Sequence, residues 1–90
     1  MKREKIKIGC DGFTNAWYSE SRLFRVIDAR GLGFFSRYRY LIQFYDPELE
    51  SWYLCRSYPF GYLPYFHGSM RLCDAVELMN DFENGGFKNV

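Results

Sequence analysis

The chain has 90 residues, a hydrophobic content of 48%, an aromatic content of 21% and a formal net charge of +1. This length allows one hydrophobic core, and an aromatic content this high excludes a disordered chain. Charged residues interrupt every apolar stretch well before the roughly 18 to 20 residues that a membrane-spanning helix needs. The sequence therefore predicts one soluble domain over residues 1–90, ordered from about residue 5 to residue 87, without membrane association.

The amino terminus and the cysteines favour a reducing compartment such as the cytoplasm. A basic start leads into Ile6-Lys7-Ile8 and not into the long apolar run of a signal peptide. Cys10, Cys55 and Cys73 are an odd number at long spacings, which favours free thiols in a reducing compartment over a disulfide framework. We expect a cytoplasmic protein whose three thiols are buried as small apolar side chains.

The first part of the chain has strand patterns. Lys5-Ile6-Lys7-Ile8 alternates polar and apolar side chains, which is typical of a half-buried strand. Residues 13–21 fit neither the strand period nor the helix period, so they are predicted as a weak strand or a loop. Residues 23–27 are rich in aromatic and β-branched side chains and predict a strand that ends near Ala29.

The clearest strand signal extends from residue 34 to residue 45. Alternation there would place mainly apolar side chains on one face and the arginines on the other. Residues 46–51 have turn composition, and residues 52–56 return as a second aromatic strand. Antiparallel pairing would bring aromatic residues 52–53 next to aromatic residues 44–45. We expect this hairpin to be the stable centre of the domain.

The last third combines an aromatic segment with a helix. Residues 57–68 contain two prolines and two glycines, which argue against a helix or a central strand and predict an ordered aromatic loop. Ser69 is suited to cap a helix over residues 70–84, which Gly85-Gly86 would end. The apolar stripe of this helix consists of Leu72, Val76, Met79 and Phe82, and its acidic residues, predicted on the solvated side, are Asp74, Glu77, Asp81 and Glu83.

This order of elements predicts the fold class. Several antiparallel strands followed by one amphipathic helix indicate an α+β fold. We expect a small antiparallel sheet of three to five strands, with the C-terminal helix packed on one face. The other face of the sheet would then be wet or covered by a partner.

No spacing of reactive residues predicts catalysis. Cys10, Cys55, Cys73 and His67 could supply a zinc site, but His67 and Cys73, the nearest two, are six residues apart, whereas structural zinc ligands come in closer pairs. A cysteine nucleophile with His67 as its base would need the two side chains in contact. The sequence has no nucleophile elbow, phosphate-binding loop or metal-binding helix motif. We therefore expect a protein without enzyme activity, cofactor or metal.

The leading functional hypothesis is a protein-interaction domain. Thirteen aromatic residues lie between Phe34 and Phe66, more than a domain with one helix can bury, so an apolar patch should stay exposed. Tyrosine, phenylalanine and tryptophan anchor many protein interfaces. The residues predicted to bind a protein partner, or a second copy of the chain, are Trp52, Tyr53, Tyr58, Phe60, Tyr62, Tyr65 and Phe66. One special case is a small inhibitor or adaptor of the kind that phages and mobile elements encode.

The alternative hypothesis is binding of single-stranded nucleic acid. Arg37-Tyr38-Arg39-Tyr40 combines side chains that neutralise phosphates with rings that stack on bases. On a regular strand the two arginines would point away from the two tyrosines, and a net charge of +1 supplies little attraction. The residues predicted for this alternative are Lys5, Lys7, Arg37 and Arg39.

Overall fold

A curled antiparallel sheet of five strands, followed by one helix near the carboxyl end, forms most of the structure. The computed structural model describes residues 2–8, 12–30, 37–61 and 63–86, without the side chains of residues 59, 60, 63 and 86. The prediction of a small α+β fold with an antiparallel sheet and a C-terminal helix is confirmed.

The sheet follows the order of the chain, and each strand pairs antiparallel with the next. Its strands are β1 (Arg3–Ile8), β2 (Gly12–Tyr18), β3 (Phe24–Asp28), β4 (Tyr40–Asp46) and β5 (Ser51–Leu54). The ambiguous stretch after residue 12 is thus a full strand. The predicted aromatic hairpin is confirmed, because Phe44 pairs with Tyr53 and Tyr45 pairs with Trp52. Residues 34–36 of the strand predicted from residue 34 lie outside the described residues, and residues 37–39 are not in a strand, so β4 begins later than predicted.

Both faces of β4 are buried by the chain itself, so the expectation that the second face of the sheet would be wet or covered by a partner is wrong at this strand. Ile42 continues a row across the sheet from Val26, and this row packs against the helix. Leu41, on the opposite face, pairs with Ile27 in a second apolar cluster that Phe66 helps to cover. The four side chains from Tyr40 to Gln43 are all buried. Central strands read as continuous apolar runs when both sheet faces are covered.

The helix α1 (Leu72–Asp81) begins later than predicted and is not capped by Ser69. Arg71 occupies the N-cap position in an extended conformation, with no side-chain capping bond. Ser69 is instead paired with Tyr40 in the sheet, and its hydroxyl accepts the N–H of Arg71 at 3.3 Å. The predicted stripe does face the core, where Met79 and Phe82 are buried. A widened turn (Phe82–Gly86) follows, and Gly85 takes a φ of 99°, a value that favours glycine.

The segment predicted as an aromatic loop is a two-stranded ribbon. Strands β6 (Arg56–Phe60) and β7 (Leu63–Phe66) pair antiparallel in a small second sheet, with a register shift between Ser57 and Phe60. A two-stranded ribbon has only edge strands, which tolerate proline, so Pro59 and Pro64 do not prevent pairing. Strand β8 (Gly68–Ser69) then returns to pair with β4. The prediction of a loop is therefore wrong.

Cys55 is the point where the chain passes from the main sheet to the ribbon. Its N–H donates to the carbonyl oxygen of Ile42 at 2.8 Å, and its own carbonyl accepts the N–H of His67 at 3.0 Å. The side chain is fully buried, and burial raises the pKa of the Cys55 thiol to about 12. Cys73 is exposed, so the expectation of a buried thiol is wrong there, and Cys10 lies outside the described residues.

Length and apolar character together decide whether a helix can cross a bilayer. Within residues 2–8, 12–30, 37–61 and 63–86, no helix is both long enough and apolar enough to cross a membrane.

Candidate interaction surfaces

Strand β5 has an open outer edge. It pairs with β4 on one side, and no other strand in the described part of the chain pairs with it on the other. Ladder bonds alternate along an antiparallel strand. Because the N–H of Cys55 points to β4, the backbone groups of Trp52 and Leu54 point outward. An open edge of this kind is a template for pairing with another chain.

A pocket of about 210 Å³ with both apolar and charged walls opens beside this edge. Its walls are Phe44, Asp46, Leu49, Tyr53, Leu54 and Arg56. Leu49 is 62% exposed and Tyr53 is 38% exposed, although both are large apolar or aromatic side chains. The ring of Phe44 lies 6.0 Å from that of Tyr53, so the pocket has an aromatic wall. The surface therefore offers an accessible cleft for an apolar side chain.

The turn between β4 and β5 holds Leu49 in its exposed position. The Asp46 carboxylate accepts the N–H of Glu48 at 2.9 Å and that of Leu49 at 3.3 Å, the pattern of an Asx turn. Glu50 takes a φ of 51°, which reverses the chain into β5. Leu49 is thus presented to solvent by a structured turn.

Arg56 extends the surface from the pocket to the ribbon. It lines the pocket, and its guanidinium carbon lies 5.8 Å from the ring centre of Tyr58, which is 43% exposed. Among the described residues, no carboxylate forms an ion pair with Arg56. We call the surface formed by Leu49, Tyr53, Arg56 and Tyr58 the β5 patch. It combines three exposed apolar or aromatic side chains with one unpaired positive charge.

Trp52 points away from the β5 patch, because successive side chains of a strand lie on opposite faces. Its ring stacks on Arg25, whose guanidinium carbon lies 4.1 Å from the ring centre. Arg25 also donates from Nε to the Gln43 amide oxygen at 2.7 Å and from Nη1 to the Tyr18 hydroxyl at 3.1 Å. We call Tyr18, Arg25, Gln43 and Trp52 the Arg25 cluster.

The opposite edge of the sheet is basic. Arg3, Lys5 and Lys7 are exposed on one face of β1, while the residues between them are partly buried. Phe13 pairs with Lys7 on the neighbouring strand and is 61% exposed. The Lys5 ammonium lies 5.8 Å from the centre of the Phe13 ring. We call these four residues the β1 patch.

The two arginines predicted for nucleic-acid binding differ in their surroundings. Arg37 is exposed. Arg39 forms an ion pair with Asp28 at 3.3 Å, and its guanidinium carbon lies 5.0 Å from the Tyr40 ring centre. Its charge is therefore partly neutralised. Lys5 and Lys7 remain the exposed cations of that prediction on a regular strand.

The structure separates the seven residues predicted for protein binding. Tyr53 and Tyr58 belong to the β5 patch, and Trp52 belongs to the Arg25 cluster. Phe66 packs against the second apolar cluster, whereas the Tyr65 hydroxyl lies 2.7 Å from that of Tyr38. The side chain of Phe60 and the whole of Tyr62 lie outside the described structure.

Among the residues that sequence reasoning missed, three differ in how visible they were in the sequence. Leu49 is the one apolar residue in the turn over residues 46–51, and that contrast was a usable signal. Arg25 is a charge within an apolar strand, which was also visible. Arg56 gave no signal, because its importance comes from the pocket and from Tyr58.

His67 joins the ribbon to the helix. Its Nε2 lies 2.8 Å from the Ser57 hydroxyl, and its ring lies 5.2 Å from that of Phe82. Burial lowers the pKa of His67 from its ordinary value, which favours the neutral ring. In the tautomer protonated at Nδ1, Nε2 accepts a hydrogen bond from the Ser57 hydroxyl. The histidine that was weighed as a general base is thus half-buried against a serine.

Neither the arrangement of metal-ligating side chains nor comparison with known proteins assigns a function to the chain. In the described ranges, no group of three or more His, Cys, Asp or Glu side chains is arranged to hold a metal ion. No protein-family model, curated protein or solved structure matches the chain.

Proposed function

We propose that the protein is a small interaction domain that binds an extended segment of a protein partner at the open edge of β5. The observation that carries this proposal is that, among the described residues, a strand edge without a partner strand lies beside an open pocket with aromatic, aliphatic and charged walls. Main-chain hydrogen bonds to a strand edge supply affinity, and pockets for alternate side chains supply specificity. The β5 patch offers both elements side by side.

The chemistry of the β5 patch defines the segment that would fit. Leu49 and Tyr53 flank a cleft whose size suits one bulky apolar side chain. Asp46 lines the same pocket, but its carboxylate accepts two backbone N–H groups of the turn and forms no ion pair with Arg56. An acidic residue near that apolar side chain would therefore be favoured by Arg56. The partner is therefore a protein with an extended segment that combines an apolar anchor with an acidic neighbour.

Paired variants test this proposal. Replacing Leu49 and Tyr53 by serine should weaken capture of the partner by at least about tenfold, because interface anchors dominate binding energy. The matched control is Phe13→Ser, which removes an equally exposed aromatic side chain from the opposite edge. Both samples should be treated with nuclease before capture. Equal capture by the double variant, the control and the unaltered protein would contradict the proposal.

A second candidate function is binding of single-stranded nucleic acid by the β1 patch. It is favoured by one observation, the alignment of Arg3, Lys5 and Lys7 on a single strand face beside the exposed ring of Phe13. Phosphate neutralisation next to a stacking ring is the usual chemistry of single-strand binding. The opposing reading is that edge lysines protect β1 from pairing with other chains.

Salt dependence separates these two readings of the β1 patch. Affinity for a single-stranded oligonucleotide should fall steeply as salt rises, by a slope of about 0.7 per neutralised phosphate. Replacing Lys5 and Lys7 by glutamine should flatten that slope, whereas Arg56→Gln should leave it unchanged. Absence of binding at low salt would remove nucleic acid from consideration.

A further inference from the structure

Arg25 is a buried cation without a described counter-charge. Its residue is 7% exposed, and it belongs to the buried polar residues of the sheet. The ion pairs of the described chain join Arg22 to Glu4 and Arg39 to Asp28, and neither involves Arg25. Burying an unpaired charge is costly, so such a cation usually has an anionic partner.

The partners of Arg25 among the described residues are all neutral. Gln43 and Tyr18 accept one hydrogen bond each, and Trp52 presents the face of its ring. These contacts compensate in part, since stacking on tryptophan stabilises a cation. Burial nevertheless outweighs the Tyr18 hydrogen bond and lowers the pKa of Arg25. The site still lacks negative charge.

Several donors of the Arg25 cluster have no described acceptor. Nη2 of Arg25 donates no hydrogen bond in the described structure. It is not fully enclosed by protein either, because the one fully enclosed side-chain nitrogen or oxygen without a partner among the described residues is Nε of Arg39. Nη2 therefore reaches solvent. The Tyr18 hydroxyl accepts a bond from Arg25 and keeps its own proton to donate. The Gln43 amide nitrogen adds further donor capacity next to the guanidinium.

From this arrangement we propose that the Arg25 cluster is an oxyanion-binding site, in which Arg25 and Tyr18 donate to a carboxylate or phosphate group beside the ring of Trp52. Nη1 donates one of its two hydrogens to Tyr18, so its second hydrogen and those of Nη2 are left for a paired contact with two oxygens, the strongest form of this interaction. Arg22 lies with its guanidinium carbon 3.9 Å from the Tyr18 ring centre and adds positive potential that Glu4 offsets. This site lies on the sheet face opposite Tyr53 and does not depend on the function proposed for the β5 patch.

Side-chain nuclear magnetic resonance tests the proposal on the full chain. The Nε–H signal of Arg25 and the indole N–H signal of Trp52 should be followed during titration with sodium acetate and, separately, with inorganic phosphate. Sodium chloride at matched ionic strength corrects for screening. Both signals should shift saturably in at least one of the two titrations, with dissociation constants in the millimolar range.

Two variants make the result specific. Tyr18→Phe keeps the ring and removes the hydroxyl donor, so it should weaken anion binding by about threefold to tenfold. Tyr58→Phe, the matched control on the ribbon, should leave it unchanged. Saturation by acetate alone identifies a carboxylate ligand, and saturation by phosphate alone identifies a phosphate ligand. Shifts that match those in chloride, or equal affinity in Tyr18→Phe and the unaltered protein, would overturn the proposal.

Discussion

The two edges of the sheet differ in the chemistry of their exposed side chains. Strand β1 presents exposed cations along one face, with Arg3, Lys5 and Lys7 separated by partly buried residues. Strand β5 is shorter and presents Tyr53 and a pocket whose wall includes the exposed Leu49. Lysine along an edge discourages pairing between chains, whereas an apolar open edge promotes it. Under the proposed function, the edge without this protection, β5, is the one that binds the partner.

Both edges depend on a common centre. The interior of β4 is buried on both faces, by the helix on one side and by the ribbon on the other. Strand β5 pairs with this buried strand, and Tyr53 of the β5 patch packs against Phe44. Changes at the centre should therefore reduce stability, whereas changes at either edge should alter association.

The largest effect is expected from the centre of the sheet. Ile42→Ala removes a fully buried side chain and should lower the free energy of unfolding by about 2 to 5 kcal/mol. Ile6→Ala on β1, where the side chain is only partly buried, should cost clearly less. Urea denaturation measures both values. Equal losses at the two positions would contradict the distinction between centre and edge.

A slightly smaller loss is expected where β8 continues the line of β5 along β4. A Cβ atom at Gly68 would collide with the backbone carbonyl of Tyr40, which cannot move without breaking the pairing of the two strands. Gly68→Ala should therefore lower the free energy of unfolding by about 1 to 3 kcal/mol, as overpacking does. Gly61→Ala has open space around it but takes a φ of 79°, so it measures the cost of a backbone conformation that favours glycine in the absence of a collision. An unchanged stability of Gly68→Ala would show that β8 is not held this closely.

Removing the charges of β1 should make the two edges alike. Replacing Lys5 and Lys7 by valine leaves Arg3 as the remaining cation on the exposed face of β1 and should increase self-association, because two β-branched side chains replace two charges. Light scattering after size-exclusion chromatography would show a higher mean mass than the unaltered protein at the same concentration. A mass that stays the same would mean that the lysines do not protect this edge.

The smallest effect concerns pH and the attachment of the ribbon. Because burial lowers the pKa of His67, the unfolded chain takes up a proton at a higher pH than the folded chain. The free energy of unfolding should therefore fall as the pH drops below the ordinary histidine value of 6.5, until the folded protein is protonated too. Hydrogen bonds lower the pKa values of Glu4 and Glu83, so their contributions disappear only in more acidic solution.

Urea denaturation between about pH 7.5 and about pH 5 would measure this effect. The variant His67→Gln should lose less stability than the unaltered protein over the same interval. If both lose the same amount, His67 does not cause the pH dependence.

Local patterns were sufficient for much of the fold. Alternation identified β1, the turn composition of residues 46–51 identified the aromatic hairpin, and the apolar stripe identified the side of the helix that packs. The ribbon was missed because Pro59 and Pro64 exclude central strands and not paired edge strands. Local rules do not show which strands have neighbours.

The candidate sites were harder to predict, because they combine residues from distant parts of the sequence. The Arg25 cluster draws on β2, β3, β4 and β5, and its chemistry comes from the absence of a described acid near Arg25. The pocket depends on the position of Arg56 just beyond Cys55, where the chain changes sheets. Neither feature corresponds to a periodic pattern of residues in the sequence. Composition did predict that some aromatic side chains would remain exposed, as Tyr53 and Tyr58 are.

Site-specific photo-crosslinking tests the central claim most directly. A photoreactive phenylalanine analogue placed at Tyr53 in one sample and at Phe13 in another would report contacts at the two edges of the sheet. In nuclease-treated lysate of the cells that produce the protein, we expect position 53 to crosslink to a discrete protein that position 13 does not capture. Addition of Leu49→Ser should remove that product. Crosslinking at position 13 alone, or identical products at both positions, would contradict the assignment of β5 as the binding edge.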